Sequence, residues 1–235
     1  MKDFFKKILK SFGYIISKKD ESSSLEIIKN LFDKKSEIII FDIGAHFGQS
    51  SQNYRNIFKN ALIYAFEPSS ESYKVLCSLN IKKLKAFNIG FSNKKSIGKL
   101  LVNSEKTTTN SLLPFSSSAK KVWGLDSLGN TESILSSFNT IDNFMNEEKI
   151  TNVDFMKIDV QGAEYLVLDG AKQALLKKKI KVIQIEVIFG DTYVGQKSIG
   201  FYINLLESYG YKFKNFADNI VIKGNLIQSD LFFTV

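Results

Sequence analysis

Three acidic residues stand where largely apolar runs end. Asp42 follows Ile38-Ile39-Ile40-Phe41 and opens the turn Ile43-Gly44-Ala45-His46-Phe47-Gly48. Glu67 closes residues 61–66 and precedes Pro68, and Asp159 closes residues 153–158 and precedes Val160-Gln161-Gly162. Open α/β sheets place their ligands at the carboxyl ends of strands, so an acid at such an end is a candidate for chemistry. It can accept hydrogen bonds from a sugar diol or take up a proton. The glycines of the first turn let the backbone approach a ligand closely. A helix over 49–59 would present free N–H groups beside them.

The turn reads G-x-x-x-G, not the dinucleotide pattern G-x-G-x-x-G. It suits adenosine carrying an amino-acid tail, as in S-adenosylmethionine, better than a diphosphate. Glu67 lies 23 positions after Gly44, where nucleotide folds hold a ribose. A third strand over 85–91 should end against the adenine at Asn88 and Ile89. The expected cofactor-binding residues are therefore Asp42, Gly44, Ala45, His46, Gly48, Glu67, Pro68, Asn88, Ile89 and Asp159. Asp159 is the first candidate for a catalytic base, Glu186 the second and His46 the third. Lys157 and Asp159 are two apart on one strand and share a face, as do Gln184 and Glu186 on the next. The structural alternative is a buried Lys157–Glu186 ion pair, because buried charges must be paired.

The elements that position these residues alternate. Strands at 38–41, 61–66, 85–91, 153–159 and 182–188 are separated by helices at 49–59, 71–79, 141–149 and 163–174, with one more helix at 201–209. Segments 211–216, 219–222 and 231–235 read as closing strands. This is an α/β pattern with an open, mostly parallel sheet. Residues 96–103 form an extra strand, and 104–137, rich in Ser, Thr and Asn, read as a lid, a substrate-binding insert or a plain surface loop. Residues 1–21 form a basic amphipathic helix that could lie on an anionic membrane surface or pack on the domain or a second copy, leaving 22–235 as the main domain.

Composition narrows the classes. The chain has 235 residues, 44% hydrophobic and 24% charged, enough for one full α/β core. Its net charge is +8, but 31 of the 32 basic residues are lysine and Arg55 is the single arginine. Nucleic-acid readers rely on the arginine fork, so a nucleic-acid partner is not expected. One cysteine, Cys77, and one histidine exclude a disulfide and a Cys/His zinc site; no metal is assigned. No apolar stretch is long enough to span a membrane and no secretory signal is evident, so the expected location is cytoplasmic, with peripheral membrane contact open.

The segments 41–45, 65–68 and 157–164, flanked by 140–144 and 167–171, resemble the FkbM-type methyltransferases in order and spacing over about 37–213. The resemblance implies a Rossmann-like class I methyltransferase fold: helices on both sheet faces and a terminal antiparallel strand. It also implies S-adenosylmethionine as cofactor and O-methylation of a small hydroxyl-bearing acceptor such as a saccharide. His46 stands where the family usually has Asn, and Gln161 where it usually has Glu. The alternatives are a nucleic-acid or protein methyltransferase, or an inactive binding module of the same fold. Against nucleic acid, the Pro-Pro-aromatic motif of amino-methylating enzymes is missing: the only prolines are Pro68 and Pro114.

Overall fold

A computed structural model of the chain describes residues 23–124, 128 and 131–235. The amphipathic helix expected at 1–21 lies outside the described residues. Ten strands and eight α-helices follow: α1 (Ser24–Leu31), β1 (Ile39–Ile43), α2 (Gln49–Ile57), β2 (Leu62–Phe66), α3 (Ser70–Ser78), β3 (Leu84–Phe87), β4 (Gly90–Phe91), β5 (Ser96–Val102), α4 (Ala119–Trp123), β6 (Glu132–Asn139), α5 (Ile141–Glu147), β7 (Val153–Ile158), α6 (Glu164–Asp169), α7 (Lys172–Leu176), β8 (Ile180–Ile188), α8 (Ile199–Ser208), β9 (Lys212–Ile222) and β10 (Asn225–Thr234).

Seven strands form one sheet in the order β3-β2-β1-β7-β8-β10-β9. The pairs from β3 to β8 are parallel, and β10 runs antiparallel to both β8 and β9. The order reverses direction between β1 and β7, the crevice where such sheets bind ligands. One face packs under α5–α8 around Phe41, Met156, Ile183 and Leu206. The other packs under α1 and α2 around Ile40, Tyr54 and Phe155, with Leu76 of α3 over Ala65. Alternate residues of the central strands therefore serve opposite layers, and both are buried, as their apolar sequences required. Aromatic edges and faces tighten the first layer: the Phe144 ring stands at 90° to Phe66 with centroids 4.9 Å apart.

Three segments differ from the sequence reading. The strand expected over 85–91 breaks after Phe87, and Gly90–Phe91 leave the main sheet for a second one, β4-β6-β5. The break has a cause: the Asn88 side chain turns back and donates to the carbonyls of Glu67 and Pro68 at 2.9 and 3.2 Å. Residues 104–137 are no plain loop. They hold a 3₁₀ turn (Thr107–Thr109), α4 and the start of β6, which pairs along β5 from Val102↔Glu132 to Ser96↔Phe138. Finally, 211–216 and 219–222 belong to one edge strand, β9, whose mixed polar sequence reflects its exposed position.

Gly170 joins the two sheets. A Cβ there would lie 2.2 Å from the Ser92 carbonyl oxygen, next to β4. Its amide carbonyl also accepts from Asp142 N–H at the start of α5. Gly170→Ala should therefore destabilise the protein by about 1–3 kcal/mol, because backbone, not a movable side chain, must give way. Equilibrium denaturation measures this; an unchanged midpoint would mean that the α6–α7 joint is slack.

Candidate functional site

The carboxyl ends of β1, β2, β7 and β8 border one cavity of about 370 Å³, within the range of small-molecule sites. Of the residues predicted from sequence, Gly44, Ala45, His46, Glu67, Pro68, Asp159 and Glu186 line it. Four others do not. Asp42 is wholly buried behind the turn and accepts from Ser51 Oγ of α2 at 2.6 Å. Gly48 turns the chain into α2 at φ +87°, and its missing Cβ leaves room for Leu76 and Leu79, not for a ligand. Asn88 is spent on the two carbonyls described above, and Ile89 packs into the core beside them. Gly44 does line the cavity, but the glycine is demanded from behind: at φ +79°, a Cβ would fall 1.8 Å from the Asp159 carbonyl oxygen.

The polar wall is built on β7, β8 and the turn that follows β7. Lys157 Nζ donates to Asp159 Oδ2 at 2.8 Å, so the ion pair is with Asp159 and not with Glu186. Gln161 fills the gap: its Nε2 lies 2.9 Å from Asp159 Oδ1 and 2.6 Å from Glu186 Oε2. The other Glu186 oxygen accepts from Gln228 of β10. Burial works to raise Asp159, but the Lys157 charge and the hydrogen bonds from Lys157 and Gln161 outweigh it and hold the carboxyl below its usual range. Glu186 is pushed well up by burial first and by the Asp159 charge second. The opposed environments thus drive the two carboxyl groups apart, Asp159 toward the ionised form and Glu186 toward the neutral acid. Lys157 is buried, yet Asp159 and Asp42 keep it charged.

Glu67 closes the cavity on the β2 side. Its oxygens accept from the N–H groups of His46 and Ser69 at 2.9 and 2.8 Å. Each oxygen keeps a lone pair, so the carboxylate can also take a ribose diol. Burial pushes its pKa to about 7. The Gly44-Ala45-His46 turn, the start of α2 at Gln49 and Ser50, and Glu67 together fit an adenosine with an amino-acid tail.

The second sheet carries a roof over the cavity that sequence reasoning left undecided. Thr107 Oγ1 lies 2.9 Å from His46 Nε2, and burial lowers the pKa of that ring. Ser111 Oγ donates to the Gln161 carbonyl, and Phe115 stacks on Tyr193 with centroids 5.0 Å apart. Trp123 Nε1 donates to Thr192 Oγ1, so this ring anchors the roof while it lines the cavity. Thr107, Thr108, Thr109, Tyr193, Lys157 and Gln161 are among the lining residues that sequence reasoning did not name as site residues. Lys157 and Gln161 were flagged in it, as a polar strand residue and as a departure from the family pattern. Among the described residues no group of His, Cys, Asp and Glu has the arrangement of a metal site, and no helix is long and apolar enough to cross a membrane.

This sheet order, with the reversed strand and the crevice at its switch point, defines a class I S-adenosylmethionine-dependent methyltransferase fold. Residues 42–213 match the model of the methyltransferase FkbM domain, and the chain belongs to that family, whose cofactor is S-adenosylmethionine. Solved structures share the fold at low identity. The METTL16 methyltransferase domain is 12% identical with a TM-score of 0.50, covering 98% of this chain and 77% of that one. Fibrillarin from Methanococcus jannaschii, a pre-rRNA processing protein, is 14% identical with a TM-score of 0.49, over 86% and 68%. The precorrin-6y C5,15-methyltransferase of Geobacter metallireducens is 13% identical with a TM-score of 0.45, over 94% and 93%. No curated protein matches the sequence.

Glu164, at the start of α6, holds the turn that carries Gln161. Its Oε1 accepts from the N–H groups of Val160 and Gly162 at 3.1 and 3.0 Å. Burial raises its pKa from 4.5 to about 7. The fold thus favours the neutral acid: that contribution is complete below about pH 4.5 and fades as pH rises through about 7. Glu164→Gln keeps an acceptor and cannot ionise. Its stability relative to the parent chain should rise between about pH 5 and pH 8, by up to roughly 3 kcal/mol. Denaturation curves at both pH values check this, and a constant difference would show that the turn tolerates the charge.

Proposed function

We propose that this protein transfers a methyl group to a hydroxyl of a small molecule, a saccharide or a similar polyol. The observation that carries this reading is the Asp159 carboxylate, held ionised on the cavity wall beside the Gly44–His46 turn. S-adenosylmethionine supplies a methyl group on a cationic sulfonium. An alcohol must lose its proton as it attacks that methyl group, and Asp159 would receive it. Lys157, bonded to the same carboxylate, keeps it ionised until then. Glu67 would hold the ribose and the turn would hold the tail, so the reacting atoms meet in line. Such alignment is worth about 7–11 kcal/mol in well-oriented pairs.

The roof favours a small, hydroxyl-bearing acceptor. Thr107, Thr108, Thr109 and Ser111 bring hydroxyls to the cavity, and Phe115 and Trp123 bring flat apolar faces. A roofed cavity and a single arginine speak against a nucleic-acid duplex as acceptor. The basic segment at 1–21 would suit an acceptor carried on a membrane surface.

A screen with labelled methyl donor against sugar nucleotides, glycan extracts, RNA and protein tests the acceptor class. Label in RNA or protein alone would sink the hydroxyl reading. With an acceptor in hand, Asp159→Asn should slow transfer roughly 100-fold or more, the usual contribution of a positioned base, while S-adenosylhomocysteine still binds. Glu67→Ala should do the opposite, weakening S-adenosylhomocysteine about tenfold or more through the lost charged acceptor. Calorimetric titration separates the two effects.

A further inference from the structure

We propose that Gln161 is the positioning residue of this site: its side-chain amide spans Asp159 and Glu186 and ties both to the roof of the cavity. The inference rests on the methyl-transfer reading for its consequence, but not for its geometry. Both hydrogens of Nε2 are engaged, one on Asp159 Oδ1 and one on Glu186 Oε2. The Tyr193 hydroxyl lies 3.1 Å from Oε1 and 3.2 Å from the Thr109 carbonyl, and donates to one of them. The Gln161 carbonyl accepts from Ser111 Oγ at 2.7 Å.

The backbone is set for this task. Gln161 sits at φ +56°, a left-handed conformation that a side chain other than glycine rarely adopts. Gly162 follows at φ +93°, and a Cβ there would lie 2.9 Å from the Tyr193 ring. The bare glycine therefore lets the Tyr193 ring settle against the turn and bring its hydroxyl to Gln161. An amide is the one uncharged group that can donate to two carboxyls and accept from a phenol at once. A carboxylate at this position would add a third negative group where Lys157 is already shared between Asp42 and Asp159. With Lys157 on one oxygen and Gln161 on the other, Asp159 cannot rotate without breaking a bond. Among the described residues, Ser111 and Thr109 of the roof are linked to Asp159 through Gln161 and Tyr193, so the position of the roof and the orientation of the base are joined.

The test reads the Asp159 carboxyl directly, by carbon NMR of the full-length protein with labelled aspartate, assigned with Asp159→Asn. The charged and titratable groups that face Asp159 are Lys157 on its own strand, Asp42 on β1, Glu67 after β2, Glu186 on β8, Tyr193 after β8, Asp230 on β10, Glu164 on α6 and His46 in the first turn. None is altered in Gln161→Leu, which keeps the bulk and removes the amide. The Asp159 titration should then move up by about one pH unit or more. Gln161→Glu should move it further, by the added charge. Tyr193→Phe, which removes one hydroxyl, should move it in the same direction by less, and carries the test if the Gln161 variants do not fold. In transfer assays the acid limb of the pH–rate profile should follow the NMR shift, with kcat falling more than KM. An Asp159 titration unchanged in the folded variants overturns the proposal, whatever the activity. Failure of the parent protein to bind S-adenosylhomocysteine would instead overturn the methyl-transfer reading and leave the titration result standing.

Discussion

A lysine ammonium lies in the middle of the sheet, and much of the surrounding chemistry is the answer to it. Lys157 is 8% exposed, in a strand flanked on both sides by others. An isolated ammonium there would be prohibitively costly, so carboxylates must meet it. Asp42 is its register neighbour on β1, Gln184 its neighbour on β8, and Asp159 lies two residues ahead on the same face. These residues cut a polar row across three central strands that are otherwise apolar. The helices above the row are chosen to suit it: α2 offers Ser51 to Asp42, and α1 offers Ser24 to Asp230 and Gln184. Small hydroxyls let the helices lie close: Ser51 and Ser24 each donate to one carboxylate oxygen, of Asp42 and Asp230, and Ser24 accepts from Gln184, while Asp42 Oδ1 and Gln184 Oε1 have no partner among the described residues.

The same ammonium sorts the acids. Asp159 has its direct bond to the ammonium and stays ionised; Glu186 has none, takes hydrogen bonds from two amides beside Asp159, and is driven toward the neutral acid. No geometric difference between the two carboxyl groups would produce this by itself, since both sit at strand ends against the same cavity. What separates them is that one cation cannot serve both. Asp159 is therefore set apart by its bond to Lys157, and Glu186 by exclusion from it.

Legibility in the sequence followed burial. The buried strands β1, β2, β7 and β8 were readable because both of their faces are apolar, and the sheet class follows from their alternation with helices. β6, which begins within 104–137, was missed because three of its eight residues are serine and one side of the strand is exposed. β9 was split in two for the same reason: an edge strand is not required to be continuous in hydrophobicity. The acids at strand ends were found because a charge that ends an apolar run stands out. Asn88 and Gly48 misled for the converse reason. Each has a residue type that suits a ligand, but its polar group or its missing Cβ is used by the protein itself. The alternative of a Lys157–Glu186 ion pair gives way to Lys157–Asp159, because spacing fixes which face a side chain takes and not which partner lies nearer. Gln161 read only as a missing charge, since its two acceptors come from different strands, 25 positions apart at the farther one.

The cavity's charge balance joins these points. Glu67, Asp159 and Glu186 line it, with Lys157, already engaged on Asp159, and Lys106 as the lysines among the lining residues. Burial, helped by the Asp159 and Asp42 charges, brings Glu67 to about 7, and burial with the Asp159 charge raises Glu186 well above its usual range. Such a wall is poised: both acids shift toward the ionised form when positive charge arrives and back toward the protonated form when it leaves. A cationic ligand therefore finds more negative potential than the empty cavity displays, while a neutral one does not draw out that charge. For a reaction that begins with a sulfonium and ends with a thioether, that asymmetry acts in the useful direction. It favours the charged reactant on entry and does not hold the uncharged product afterwards. Lys157 sets the limit of the effect, because its fixed positive charge is what holds Asp159 ionised beside the two raised acids.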